Sequence, residues 1–164
     1  MEPTPIWRPT ARLLVLDPLD KVLLFSADDP RGKWWFTPGG GVHRGETLTA
    51  AAARELAEET GYVRTEAEIG SVVATSAGHW QADDGTRFLG ADSYFLVTVD
   101  GATISDDGWE PLERSVITGH RWWTVPELRA ARDVVLPVGL ADLITTLRTE
   151  GLPNHPTRLP WRAA

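Results

Sequence analysis

Glu46, Arg54, Glu55, Glu58 and Glu59 stand at close, fixed separations in the segment GGVHRGETLTAAAARELAEETGY, which runs from Gly40 to Tyr62. On an ideal helix Glu55 and Glu59 are neighbours one turn apart, and Glu58 lies beside Glu59 on the same broad side. Three carboxylates in so narrow an arc repel one another. A hard divalent cation with oxygen ligands relieves that repulsion, Mg²⁺ being the first choice and Mn²⁺ the second. Arg54 is spaced to pair with Glu58 across one turn and hold it in place. An isolated ELAEE string equally describes a solvated helix face. The linked glycine loop changes that weighting. At average residue frequencies of roughly 5–7%, Gly40, Glu46, Arg54, Glu55, Glu58, Glu59 and Gly61 would coincide by chance in about one chain in a million of this length.

These residues need a helix and a loop to position them. From Thr47 to Thr60 the chain is rich in Ala, Leu, Glu and Arg, with Thr47 or Thr49 available as an N-cap and Gly61 able to end the helix. Leu48, Ala52 and Leu56 form one apolar stripe that must bury against a sheet. Upstream, Arg12 to Leu16 and Lys21 to Phe25 read as a hairpin closed by Asp17-Pro18-Leu19-Asp20. A short aromatic strand follows at Trp34 to Phe36, and Pro38-Gly39-Gly40-Gly41 is expected to break regular structure. Downstream, Ile69 to Thr75, Arg87 to Val99 and Val116 to Thr124 have strand composition, with a polar loop around Asp83-Asp84-Gly85. Val125 to Arg132 and Val138 to Thr149 read as helices. Pro153 to Pro160 reads as a tail, and no internal repeat or interdomain linker is visible.

Composition sets the outer limits. A chain of 164 residues suits one domain, 1–164, with peripheral tails expected at 1–9 and 152–164. The formal net charge of −7 argues against a broad nucleic-acid surface. The chain has no cysteine, which excludes disulfides, thiolate metal sites and cysteine nucleophiles. MEPTPIWRP has neither a signal-peptide core nor a membrane span, so a cytoplasmic protein without a membrane partner is expected.

The segment resembles the Nudix box, the signature of the Nudix hydrolase superfamily. Every fixed position is filled, Leu56 is its first aliphatic residue, and Tyr62 stands where Ile, Leu or Val is usual. The resemblance implies an α/β protein, an α/β/α sandwich with a mixed β-sheet. It also implies a hydrolase acting on a nucleoside diphosphate linked to another group, with water attacking a phosphorus of the pyrophosphate. Glu55, Glu58 and Glu59 match the metal-binding glutamates, and the Gly40 carbonyl is a further candidate ligand. Glu46 matches the acid that supports the loop, and Arg54 the arginine that orients the cluster. Glu113, in an acidic stretch with Asp106, Asp107 and Glu110, is the candidate general base; a solvated acidic loop is the competing reading.

The substrate is expected to be a small nucleotide or nucleotide derivative. Trp80 and Trp122 are candidate stacking residues among Trp34, Trp35 and Trp123, and Arg44 and Arg87 candidate phosphate contacts among Arg31, Lys33 and Arg121, against core filling and surface solvation respectively. As adjacent strand residues, Trp122 and Trp123 must face opposite sides. Ala77, Gly78, His79 and Trp80 occupy the positions where some Nudix subgroups carry a proline or tyrosine, so the ADP-ribose and dinucleoside-polyphosphate markers are absent. His79, in an expected polar loop, is read as incidental. A Nudix-fold binding or regulatory module without turnover would have less need of all the acids. An isomerase of isopentenyl-type diphosphates would call for a cysteine this chain lacks. A homodimer is a family-level expectation.

Overall fold

The computed structural model describes residues 1–101 and 103–162. Its strands are β1 (Ile6–Leu16), β2 (Val22–Asp29), β3 (Gly32–Phe36), β4 (Gly39–Gly41), β5 (Ala74–Gln81), β6 (Arg87–Thr98), β7 (Gly119–Trp123), β8 (Val134–Val135) and β9 (Thr157–Arg158). Its helices are α1 (Leu48–Thr60), α2 (Glu66–Ile69), α3 (Pro111–Val116), α4 (Val125–Ala130) and α5 (Leu140–Glu150). The strands join in one mixed sheet ordered β8-β3-β2-β1-β6-β5-β9, with β4 also paired to β1 and β7 to β2. The central β1 lies parallel to β6 along its whole length, from Ile6 opposite Phe88 to Leu16 opposite Thr98.

The two-residue period of β1 divides the interior into two cores. Leu14 and Leu16 pack with Leu140, Leu143, Ile144 and Leu147 of α5. Ala11, Leu13 and Val15 pack with Ala51, Ala52 and Leu56 of α1. The sheet is therefore covered on both faces, the α/β/α arrangement, which explains why Leu13 to Leu16 of β1 and Val22 to Phe25 of β2 are continuous apolar runs and not alternating ones. Trp122 and Trp123 divide as expected. Trp123 sits in the α5-side core, edge-on to Trp35 at 5.1 Å, and Trp122 packs against the α1-side core.

Local chemistry sets the ends of the elements around α1. Asp17 Oδ1 accepts from the amides of Leu19 at 2.9 Å and Lys21 at 2.8 Å, closing the hairpin. Thr47, not Thr49, caps α1 by accepting from Ala50 N–H at 3.1 Å. Gly61 ends α1 in the left-handed conformation at φ 83°, where a side chain would be strained.

Several boundaries differ from the sequence reading. Gly39–Gly41 is a strand and not a break, because the β1 backbone supplies partners that overcome glycine's poor strand propensity. Ile69 closes α2 and does not open a strand: Thr65 and Glu68 form a reciprocal capping box, so β5 starts at Ala74. His79 and Trp80 consequently lie on β5, outside the polar turn. The acidic stretch contains α3, opened by Glu110 and Pro111, and β7 is shorter than expected at its N-terminal side. Residues 6–9, read as peripheral, begin the central strand. In the C-terminal segment Thr157–Arg158 add to β5 in parallel, and Leu159 N–H donates to Thr75 O at 2.8 Å. Among the described residues no helix is long and apolar enough to cross a membrane.

Candidate active site

β4 brings the glycine loop onto the acidic face of α1. Gly39 N–H donates to Glu59 Oε2 at 2.7 Å. A Cβ at Gly40 would lie 2.5 Å from Glu55 Oε1, so the space beside that backbone is filled by the glutamate. Arg54 ties the loop to the helix: Nε and Nη2 donate to the two oxygens of Glu46 at 2.8 and 2.9 Å, and Nη2 reaches Gly41 O at 3.0 Å. Its Nη1 donates to Glu55 Oε1 at 2.8 Å and Glu58 Oε2 at 3.3 Å. Glu46 in turn accepts from His43 N–H at 3.0 Å.

Electrostatics follow from this web. The Arg54 hydrogen bonds hold the Glu46 carboxyl down at about 2, and the carboxylates keep the Arg54 guanidinium above its ordinary range. Burial pushes the Glu55 carboxyl up, against the opposing pull of Arg54. Glu59 is pushed up to about 9, chiefly by burial and then by the Glu113 carboxyl, although the Gly39 amide works the other way.

One oxygen each from Glu55, Glu59 and Glu113 lie within 4.8 Å of one another. Glu113 Oε2 is buried with no hydrogen-bond partner, while Oε1 accepts from Glu110 N–H at 3.0 Å. Two buried carboxylates crowded against a half-buried third with an unpaired oxygen have the donor chemistry of a hard divalent cation site. Glu113 thus joins the cluster through α3, 54 residues beyond Glu59 in the chain. Glu58 is not in this close trio; it is held by Arg54 and lines the adjoining cavity.

Two cavities flank the trio. One of about 480 Å³ is lined by Gly39, Gly40, Arg54, Glu55, Glu58 and His43, with Arg8 among its other residues. A second of about 360 Å³ is lined by Arg12, Trp34, Asp92, Tyr94, Pro137 and Trp161 among others. Both share Gly39, Glu59, Leu112 and Glu113.

The candidate substrate residues stand elsewhere. Trp80, Trp122, Arg44 and Arg87 line neither cavity. Trp80 stacks on Phe88 at 4.3 Å and the pair supports Arg8, so it reaches the site only through that cation. Arg87 pairs with Glu2, Arg44 is exposed, and Trp122 is packed on the core. Sequence reasoning missed Arg12, Tyr94 and Trp161, and also Trp109, whose Nε1 donates to Glu59 O at 2.8 Å while its ring packs edge-on to Phe25. Gly108 lies so near α1 that a Cβ there would come 2.6 Å from Glu58 O. The adjacent Gly108-Trp109 pair was the available signal: a close-approach residue beside an aromatic with a polar handle.

Comparison with known proteins matches residues 7–139 to the NUDIX domain. The chain is 32% identical over 162 residues to a Mycobacterium tuberculosis protein named "Putative mutator protein MutT4", covering 91% of this chain and 62% of that relative. It therefore spans about three fifths of that relative's length. Two solved structures share the fold. The MutT protein from Methanosarcina mazei matches with a TM-score of 0.62 at 16% identity, over 91% of this chain and 98% of that one. The NUDIX domain of Shewanella oneidensis NrtR, complexed with ADP ribose, matches at 0.61 and 16%, over 90% and 91%. With the domain matched across most of its length and the glutamate-bearing loop and helix lying inside that match, this chain belongs to the NUDIX domain family.

Proposed function

We propose that this protein is a divalent-metal-dependent hydrolase that cleaves a pyrophosphate bond in a nucleoside diphosphate linked to another moiety. The observation that carries this reading is the pair of buried carboxylates Glu55 and Glu59, with half-buried Glu113 close by, beside a cavity walled by the glycine loop. Mg²⁺, or Mn²⁺ in its stead, would be held by Glu55 and Glu59 with Glu58 and the Gly40 carbonyl at hand. When bound it would screen the pyrophosphate charge and activate water. The chain's own residues do the rest. Glu46 and Arg54 keep the glutamates oriented, the loop leaves room for the diphosphate, and Arg8 supplies a cation on the same cavity. Glu113 accepts the proton of the attacking water as its oxygen bonds to phosphorus and the bridging P–O bond breaks.

The substrate is a small nucleotide derivative, and the setting cytoplasmic, in keeping with the absence of cysteine. The deciding experiment is chromatographic detection of the mononucleotide and the second phosphate-bearing product from nucleoside triphosphates, nucleotide sugars, ADP-ribose, dinucleotides and capped RNA fragments with Mg²⁺ or Mn²⁺. At least one substrate should turn over, and excess chelator should abolish it. Activity that survives chelation overturns the metal-dependent mechanism. Silence across the panel together with tight nucleotide binding would favour a binding module.

A further inference from the structure

We propose that the C-terminal segment completes a nucleobase pocket beside the catalytic glutamates, with Trp161 as a specificity-determining wall; this rests on the hydrolase reading above. The pocket is the cavity of about 360 Å³ that shares Glu59 and Glu113 with the glutamate cavity. Its size lies within the range of small-molecule sites. Trp34, Tyr94 and Trp161 contribute aromatic surface, while Arg12 and Asp92 contribute a donor and an acceptor. Arg12 is fixed by donating to Gly39 O at 3.2 Å and Thr37 O at 3.4 Å, and Asp92 accepts from the Thr10 hydroxyl. Aromatic surface with both a guanidinium and a carboxylate suits a flat ring that has acceptor and donor edges, which is a nucleobase. Asp92 disfavours a phosphate there, so the diphosphate is left to the glutamate cavity and its cations.

The seat of Trp161 is built into the sheet. Gly78 on β5 and Gly90 on β6 are register partners, and the indole lies over both. A Cβ at Gly90 would come 2.5 Å from the ring, and one at Gly78 would overlap it outright. Glycine weakens a strand interior unless something must approach closely; here two facing glycines give the ring its platform. The addition of β9 to β5 delivers the segment to that place. Trp161 lies beyond the matched domain, which ends at residue 139. Its Nε1 is buried with no acceptor, a cost a merely structural plug has no reason to carry.

The test is calorimetric binding, with Mg²⁺, of the methylene-bridged diphosphates of adenosine, guanosine, cytidine and uridine, against methylenediphosphonate as the base-free probe. At least one nucleotide should bind about tenfold tighter than the base-free probe, the size expected for one base on an aromatic face. Trp161→Ala should remove most of that preference and leave methylenediphosphonate within about twofold, and Trp161→Phe should retain most of it. Gly78→Ala deletes nothing yet expels the ring, so it should act like Trp161→Ala. The proposal is overturned if no base adds affinity, if both alanine variants keep the preference, or if they weaken both kinds of ligand in parallel. Mononucleotide formation from the substrate panel by the unaltered protein separates the two readings. Turnover with no effect at Trp161 sinks only this pocket, whereas nucleotide preference without turnover sinks only the hydrolase.

Discussion

Arg54 grips both oxygens of Glu46, at 2.8 and 2.9 Å, in a planar two-pronged pair that anchors the glycine loop to α1. Lysine would keep the charge and lose the fork. Arg54→Lys should therefore lower kcat by about 10- to 100-fold, the usual cost of losing a group that orients metal ligands, as measured at saturating metal. The same pair predicts an acid limb in stability. The Glu46 carboxyl sits at about 2 in the folded protein against an ordinary 4.5, so its contribution is complete above 4.5 and is lost as pH falls toward 2. Melting curves of Glu46→Gln should be flatter than those of the native protein in that window.

Glu59 has the opposite sign. Its folded carboxyl keeps a proton up to about 9, whereas the unfolded chain releases it near 4.5, so this contribution is full below 4.5 and disappears as pH rises toward 9. In chelator the Tm should fall over that interval, and Glu59→Gln should lessen the fall. Mg²⁺ needs the carboxylate, so its affinity should rise with pH and release protons. A metal affinity independent of pH in buffers of different ionisation heat would contradict this linkage.

Gly40 and Gly41 form a matched pair for mutation. A Cβ at Gly40 meets Glu55 at 2.5 Å, whereas one at Gly41 meets nothing within 4 Å. Gly40→Ala should reduce kcat/KM by about 100-fold through displacement of Glu55, and Gly41→Ala should stay near native. Equal losses in the two variants would mean that loop flexibility, not space beside Glu55, is what matters.

Glu113→Gln distinguishes proton transfer from metal ligation. As the general base, Glu113 is worth about 10²- to 10⁴-fold in kcat. Calorimetric Mg²⁺ affinity should then change by less than about twofold. Recovery of full turnover at high metal would instead make Glu113 a ligand.

The parts of the molecule legible in the sequence are those encoded locally. Thr47 and Gly61 bound α1, Asp17 closes the β1–β2 hairpin, and the spacing of Glu55 to Glu59 implies a shared helix face. Gly39–Gly41 hid its strand because only the partner β1 makes those glycines extended. α3 hid behind its charges, so the closeness of Glu113 to Glu59 was reachable by resemblance and not by pattern. Trp80 and Trp34 are equally aromatic in sequence. Which of them reaches a cavity depends on sheet order, which a period of two does not encode. Arg12 and Trp161 line one cavity although they lie 149 residues apart in the chain.

The parallel pairing of β1 with β6 also governs when a working site can exist. Thr10 and Asp92 are neighbours across the two strands but 82 residues apart in the chain, and α1 with its glutamates lies inside that loop. Closing a loop of that length costs roughly 4 kcal/mol in chain entropy beyond a constant. During synthesis the glycine loop and α1 emerge first, Glu113 on α3 joins them later, and the Trp161 platform comes last. Chains that stop short of α3 therefore hold an acidic helix without its Glu113 partner, and chains that stop short of Trp161 lack the wall proposed for the nucleobase.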